Sequence, residues 1–407
     1  MAETCPNESA ESAAALPTVA DWDLAENVTF LNHGSFGPSP RVVCEAQNEW
    51  LAGVNREPMQ FFVRDLQDAI EKSAAALADF VGADASDIAF VDNATFGMNA
   101  VALTVPLSPG DQILFSDHEY GAVHRIWQHA ARKAGAEIVV QKLPCPLTTA
   151  EDVTETLLSA VTDKTRLIVV SHVTSPTAVI LPVQQICDRA REKGIPVCID
   201  GPHATGMEHI NLKRLGCDFY VSSCHKWLSA PFGTGFLYVA KRWQQRVQPT
   251  IISWGDTSAW RPDKTPAAAR WQGDFHWAGT RDPSGWLALP VAINFLQHAG
   301  FDRFRQYGHE LARYARERIA ALTGLEQIVP DSPEWYGVMY SAPLPPSTEE
   351  KVAHRDPLQD RLFERYRIEV PISERLGRRY VRVSCHWYNN HEQVDRLVEA
   401  LAEELAT

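Results

Sequence analysis

Val221-Ser-Ser-Cys-His-Lys-Trp-Leu228, followed closely by Gly233-Thr-Gly-Phe-Leu-Tyr-Val239, puts a lysine at the end of one apolar run and a glycine-flanked second run just behind it. Lys226 is poorly placed there for a solvated surface charge, because serine, histidine and tryptophan surround it in sequence. Desolvation penalises the charged form of an amine, lowers its pKa and leaves it neutral and able to form a Schiff base. A lysine that simply caps a strand end is the plain alternative, and the octapeptide alone does not separate the two.

The flanking sequence does. Upstream lies Pro196-Val-Cys-Ile-Asp-Gly-Pro-His203, with Asp200 at the end of a buried strand and 26 positions before Lys226. Ligands of open α/β sheets bind at such carboxyl ends. A buried carboxylate there needs a cationic partner, and a protonated pyridine nitrogen is one; a helix cap or a structural ion pair is the ordinary alternative. Further upstream, Phe90-Val-Asp-Asn-Ala-Thr-Phe-Gly-Met-Asn99 ends a strand at Asn93 and opens a helix near Thr95. The free amides and positive dipole of such a start make an anion site, or else a simple cap. Neither a Walker A pattern nor a G-x-G-x-x-G occurs, so nucleotide and dinucleotide readings lack their usual support. Histidines are numerous (His118, His124, His129, His172, His203, His225), but none form H-E-x-x-H, and no catalytic metal is expected.

Seven apolar runs alternate with helical patterns: Ile88–Val91, Gln112–Phe115, Glu137–Gln141, Arg166–Val173, Pro196–Asp200, Asp218–Ser223 and Gly235–Val239. Continuous apolar runs mark strands covered on both faces. With helices over Tyr120–Ala134, Thr149–Ala160 and Pro182–Lys193 between them, they predict an α/β fold with a mostly parallel seven-stranded sheet. After Gly285 the pattern changes. Two long helices (Leu287–Gly300 and Phe301–Leu322) precede a Pro/Ser-rich stretch, Pro330–Pro357, expected to be irregular with one or two strands. A helix over Leu358–Arg365, a strand over Arg379–Ser384 and an amphipathic helix over Glu392–Leu405 complete a smaller α+β domain. The expected division is a disordered tail over residues 1–20, an arm over 21–44 packing on the small domain, a large domain over 45–285 and the small domain over 286–407.

The net charge of −13 disfavours nucleic acid and anionic membrane surfaces as partners. No apolar run reaches the ~20 residues that span a bilayer, and the acidic, Ala/Ser-rich start lacks the pattern of a secretory signal. Eight scattered cysteines without a C-x-x-C read as reduced thiols, so a cytoplasmic enzyme is expected.

Taken together, strand–Asp-x-x-His, strand–Ser-x-His-Lys and the Gly-Thr-Gly strand resemble the class V aminotransferase group of fold-type I pyridoxal 5′-phosphate (PLP) enzymes. The likeness runs from Phe30 to the C-terminus. Within the group, Leu31-Asn-His-Gly-Ser-Phe-Gly37, Phe61-Phe-Val-Arg64, Asp117-His-Glu-Tyr-Gly121, Trp277-Ala-Gly-Thr-Arg-Asp282 and Ile368-Glu-Val-Pro371 resemble the isopenicillin N epimerase-like branch. The resemblance implies that Lys226 carries PLP as an internal Schiff base and moves protons at Cα. It implies that Asp200 meets the pyridine nitrogen, His203 lies near the 3-hydroxyl and His118 lies against the ring. Ala94 and Thr95 would bind the phosphate, with Ser223 and His225 completing the cup and Thr280 reaching in from the second subunit of a homodimer. Arg382, in Tyr380-Val-Arg-Val-Ser384, matches the arginine that grips a substrate α-carboxylate, for which a planar fork is well suited. Asn32, His33, Tyr120 and Arg281 complete the expected substrate set, and Arg64, Trp254 and Trp277 are further candidates for lining the pocket or packing a dimer.

Two positions depart from the desulfurase pattern. Ser175 stands where desulfurases often have asparagine, and the segment Pro371–Arg378 that corresponds to their persulfide loop has no cysteine. Persulfide-forming desulfuration is therefore not expected. Epimerisation or racemisation of an amino acid leads, with C–S β-elimination and transamination as alternatives. Tyr120, His33 or a water would serve as the second proton donor an epimerase needs. A PLP-fold protein recruited for binding alone is the remaining class, and it would survive substitution of Lys226.

Overall fold

The structure, a computed structural model, describes residues 16–255, 270–350 and 355–406. Residues 1–15 of the expected tail lie outside it. Val19–Asp21 forms a 3-10 turn, closed by the Asp21 carboxylate accepting from the Thr18 N–H at 2.7 Å.

The chain enters through a short strand β1 (Thr29–Phe30). Helices α1 (Arg41–Arg56) and α2 (Leu66–Val81) lead to β2 (Ile88–Val91) and α3 (Ala94–Thr104). Then follow β3 (Gln112–Ser116), α4 (Gly121–Ala134), β4 (Glu137–Gln141), β5 (Thr165–Ser171), β6 (Val197–Asp200), β7 (Phe219–Ser223) and β8 (Gly235–Val239). These seven strands form one sheet in the order β2-β8-β7-β6-β5-β3-β4. β8 runs antiparallel to both its neighbours and the other pairs are parallel. The interior strands β6, β7 and β8 are buried at every position, which is why they read as unbroken apolar runs. The edge strand β4 has no fully buried position.

Two helices, α5 (Leu289–Ala299) and α6 (Phe301–Thr323), carry the chain to a second sheet. Its strands are β9 (Met339–Leu344), which lies inside the stretch expected to be mostly irregular, β11 (Ile372–Arg375) and β12 (Arg378–Ser384), in the order β11-β12-β9. The short β10 (Ile368–Glu369) between them pairs in parallel with β1, so the first described strand is stitched to the last third of the chain. The closing helix α7 (His391–Leu405) starts at Asn390, whose side chain accepts from the Gln393 N–H, a cap that contributes about 1 kcal/mol. Trp22 anchors the entering arm, buried edge-on against Phe295, His386 and Tyr388.

β11 and β12 make a tight hairpin through Leu376 and Gly377, both at positive φ (55° and 69°), as a two-residue turn matched to strand twist requires. This hairpin covers the segment 371–378, which therefore has paired strands rather than an open loop. Among the described residues no helix is long and apolar enough to cross a membrane. Five of the seven described cysteines are buried, Cys44 and Cys145 are exposed and none of the seven is bridged; Cys5 lies outside the described residues.

Candidate active site

Five strands end at one edge of the large sheet, and each delivers a site residue. β2 leads into Asn93-Ala94-Thr95, β3 into Asp117-His118-Glu119, β5 toward Ser175, β6 ends on Asp200 itself and β7 runs into Ser223-Cys224-His225-Lys226. The register pairs Ser171 with Asp200 and Asp200 with Val221, which brings residues far apart in sequence onto neighbouring strand ends.

The Lys226 amine lies 2.9 Å from His203 Nε2. Desolvation, and next the nearby Arg382 guanidinium, bring its pKa down to about 7, against the pull of Asp200. Burial pushes the Asp200 carboxyl upward while Lys226 opposes it. Asp200 accepts no hydrogen bond from another described side chain, so a cation that enters the site meets an uncommitted carboxylate. His118 is held by its Nδ1 against Thr177 Oγ1 at 2.8 Å, its Nε2 has no hydrogen-bond partner, and burial lowers its pKa to about 4. His203 Nδ1 and His225 Nδ1 are likewise buried without partners. At the start of α3 the Ala94 N–H donates to Ser223 Oγ at 3.0 Å and Asn93 Oδ1 accepts from the Phe96 N–H, while Thr95 is exposed.

Arg382 faces this cluster from β12. Nη1 donates to Ser175 O at 2.7 Å and Ser175 Oγ at 3.1 Å; Nη2 donates to Ser35 Oγ at 2.7 Å and Asn32 Oδ1 at 3.5 Å. Nε is buried without a partner, and among the described residues no carboxylate pairs with this guanidinium. Burial brings its pKa down to about 10, which leaves it charged near neutrality, with Tyr120 close enough to raise it. A buried cation without a counter-charge is costly unless an anion arrives. The Asn32 amide also reaches Glu369 Oε1, so Asn32 ties the arginine to β10.

His33, expected among substrate residues, takes a different position. Its Nε2 lies 2.9 Å from the Lys226 carbonyl and its Nδ1 lies 2.7 Å from the Tyr388 hydroxyl. A carbonyl only accepts, so the hydrogen sits on Nε2 and Tyr388 donates to Nδ1. Both nitrogens are thus engaged, the ring stacks on His386 at 4.1 Å, and burial lowers its pKa to about 3. That removes His33 as a free proton donor and makes it a residue that positions Lys226. Gly37 allows the approach: a Cβ there would lie 2.6 Å from His33 Nε2 and 2.7 Å from the Lys226 carbonyl oxygen.

The other expected residues are more dispersed. Arg281 pairs with Asp92, beside the start of α3, and lies over the Trp286 ring at 4.2 Å. Thr280, Tyr120, Arg64 and Trp254 are exposed, and Trp277 packs edge-on to Phe62. Sequence reasoning missed Glu119, which is fully buried and accepts from Ser116 Oγ and Ser171 Oγ, both at 2.6 Å. Burial raises its pKa to about 8. It fastens the His118 segment to β3 and β5, and its place next to His118 after an apolar strand was the available signal. Tyr388, Ser35 and Arg375 were also missed. Arg375 donates to the carbonyls of Asp117 and Glu119 at 3.0 and 2.9 Å and so clamps His118 from the hairpin.

An amine at a strand end, an uncommitted carboxylate on the next strand and a guanidinium awaiting an anion suit a carbonyl cofactor and an amino-acid substrate, the arrangement of fold-type I PLP-dependent enzymes. The chain belongs to the aminotransferase class-V family, which it matches over residues 31–355, and it is a PLP-dependent enzyme. It is 36% identical over 399 residues to isopenicillin N epimerase of Streptomyces clavuligerus, covering 94% of this chain and 98% of that one. It is 28% identical over 415 residues to L-cysteine desulfhydrase of Arabidopsis thaliana, covering 92% and 87%. Among solved structures it is similar to a C-DES mutant with glycine covalently linked to the PLP cofactor, at a TM-score of 0.81 and 21% identity over 95% of this chain and 99% of that one.

Proposed function

We propose that this enzyme moves a proton at the Cα of an amino-acid substrate and that its net reaction is epimerisation or racemisation. The observation that carries the proposal is the pairing of a buried, near-neutral Lys226 amine with a buried Arg382 that has no carboxylate of its own. The residues fit PLP: Asp200 would hold the pyridine nitrogen, His118 the ring face, His203 the neighbourhood of the 3-hydroxyl, and Ala94, Thr95, Ser223 and His225 the phosphate. Thr280 would complete the phosphate site from the partner in a homodimer. Bound there, PLP supplies an electron sink for the pair left at Cα when its proton departs.

The chain's own residues do the rest. Arg382 binds the α-carboxylate through its fork, already braced by Ser175, Ser35 and Asn32. Lys226 takes the Cα proton, a task suited to an amine whose pKa lies near neutrality. His33 and Tyr388 hold the Lys226 backbone so that the amine swings about a fixed point. Tyr120, exposed and near enough to Arg382 to act on its charge, or a water is our candidate for returning a proton from the other side. The similarity to isopenicillin N epimerase, higher than that to L-cysteine desulfhydrase, supports epimerisation as the outcome. The desulfhydrase likeness supports β-elimination as the second reading. A persulfide formed on the enzyme, as in a desulfurase, is not part of this reading, because the β11–β12 hairpin carries no cysteine.

Incubating the holoenzyme with L-amino acids in D2O tests the assignment. Deuterium at Cα with loss of optical purity, abolished by Lys226→Ala, is the expected result. Release of pyruvate, ammonia or a thiol would assign elimination instead. Retention of the Cα proton with every amino acid tried would refute both.

A further inference from the structure

The turn that follows β5 serves two partners at once. Val173 and Ile180 bridge as antiparallel neighbours, and between them the Thr174 N–H donates to Val179 O while Thr174 O accepts from the Ala178 N–H. Ala178 sits at φ 56°, a left-handed conformation that a Cβ disfavours and that persists only where its surroundings hold it. From this turn Ser175 braces Arg382, and Thr177 meets His118.

A count of hydrogens fixes the direction of that second contact. Thr174 Oγ1 accepts from the Val179 N–H at 2.8 Å and lies 2.7 Å from Thr177 Oγ1, which lies 2.8 Å from His118 Nδ1. All three side chains are buried, and among the described residues neither hydroxyl has another polar partner. Each hydroxyl has one hydrogen to give. The Thr174 hydrogen can go only to Thr177, and the Thr177 hydrogen then goes to Nδ1. With Nδ1 accepting, the neutral imidazole carries its hydrogen on Nε2. Reversing the chain, or adding a proton at Nδ1, strands the Thr174 hydrogen in the interior and disfavours either form by about tenfold or more. Burial also favours the neutral ring, with Asp117 opposing it and Arg375 adding to it.

The resulting Nε2–H is buried with no acceptor of its own. Asp117 Oδ1 is 4.0 Å away, beyond hydrogen-bond reach, and already accepts from the Leu143 N–H. The backbone on either side of the ring is fixed, since the His118 N–H donates to Ser116 Oγ at 3.2 Å and Arg375 holds the neighbouring carbonyls. A rigid donor that the protein leaves open is completed by an acceptor atom of a ligand.

We propose that Thr177, oriented by Thr174, is a positioning residue that fixes His118 in the Nε2–H form, so that His118 serves the reaction as a neutral hydrogen-bond donor and carries no proton. The role in the reaction rests on the reading that His118 lies against the cofactor ring. The tautomer does not.

The test is two-bond 1H–15N correlation on 15N-histidine-labelled holoenzyme, with the His118 signals identified by their loss in His118→Gln. Between about pH 5 and 8 the expected pattern is a protonated Nε2 and a bare, accepting Nδ1. A hydrogen on Nδ1, or a charged ring anywhere in that range, overturns the proposal without any variant. Thr177→Val, checked for folding by melting temperature, should admit the Nδ1–H form and lower kcat for Cα exchange about tenfold with little change in KM. Thr177→Ser should restore both the wild-type tautomer and the rate. Wild-type kcat in Thr177→Val, or no recovery in Thr177→Ser, overturns the positioning role. Absence of Cα exchange with every amino acid would sink the reading of the reaction, whereas the tautomer is read without turnover.

Discussion

Replacing His33 by alanine separates a residue that positions the lysine from one that handles substrate. The substitution leaves the Lys226 carbonyl without its imidazole donor and the Tyr388 hydroxyl without its acceptor, each of them buried or nearly so. An unsatisfied buried polar group costs about 1–3 kcal/mol. Loss of the ring stacked on His386 at 4.1 Å and tilted against Trp227 at 5.0 Å leaves a cavity besides. The sum is a loss of about 3–5 kcal/mol, a large share of the about 5–15 kcal/mol that holds a typical domain. Tyr388→Phe removes only the donor to Nδ1 and should cost about 1–2 kcal/mol. Urea unfolding of the holoenzyme variants measures both. In the surviving folded fraction, Lys226 is less well held, and kcat should fall about tenfold or more while KM changes little. His33→Ala with wild-type stability but no Cα exchange would refute the reasoning and return the imidazole to a direct role with substrate.

Arg382→Ala should lower kcat/KM by about 10²–10⁴-fold, since removing one partner of a buried charge pair costs about 3–5 kcal/mol, and Arg382→Lys should recover only part because the fork is lost; steady-state kinetics on a reactive amino acid decides it. His33, His118, His172 and His276 all have folded pKa values well below the ordinary 6.5, at about 3 for His33 and about 4 for the others. The unfolded chain therefore binds more protons than the folded one as pH falls from 6.5, and stability drops by up to about 1.4 kcal/mol per pH unit for each, measurable as a falling urea midpoint toward pH 4. Glu119 has the opposite sign: its raised pKa of about 8 gives stability that is whole below about 4.5 and lost as pH rises toward 8. Glu119→Gln should accordingly gain on the wild type between pH 5 and 8, and a constant difference across that range would show that Glu119 is ionised throughout.

The seven strands of the large sheet and the 26-residue step from Asp200 to Lys226 were legible in the sequence by itself. Strands buried on both faces are continuous apolar runs, and a polar residue that ends such a run declares itself locally. The helix start at Ala94 and the arginine in Tyr380-Val-Arg-Val-Ser384 were readable for the same reason. What only the tertiary structure decided was the company each residue keeps. His33 reaches Lys226 across 193 positions and Tyr388 across 355, and Arg382 reaches Ser175 across 207. Glu119 accepts from serines on two different strands, and Arg375 meets the His118 segment through a hairpin. Periodicity reports which face of an element is apolar, over a few turns of chain. Hydrogen bonds between distant segments depend on how the two sheets and the entering arm pack, and that packing set an expected substrate histidine against the Lys226 backbone.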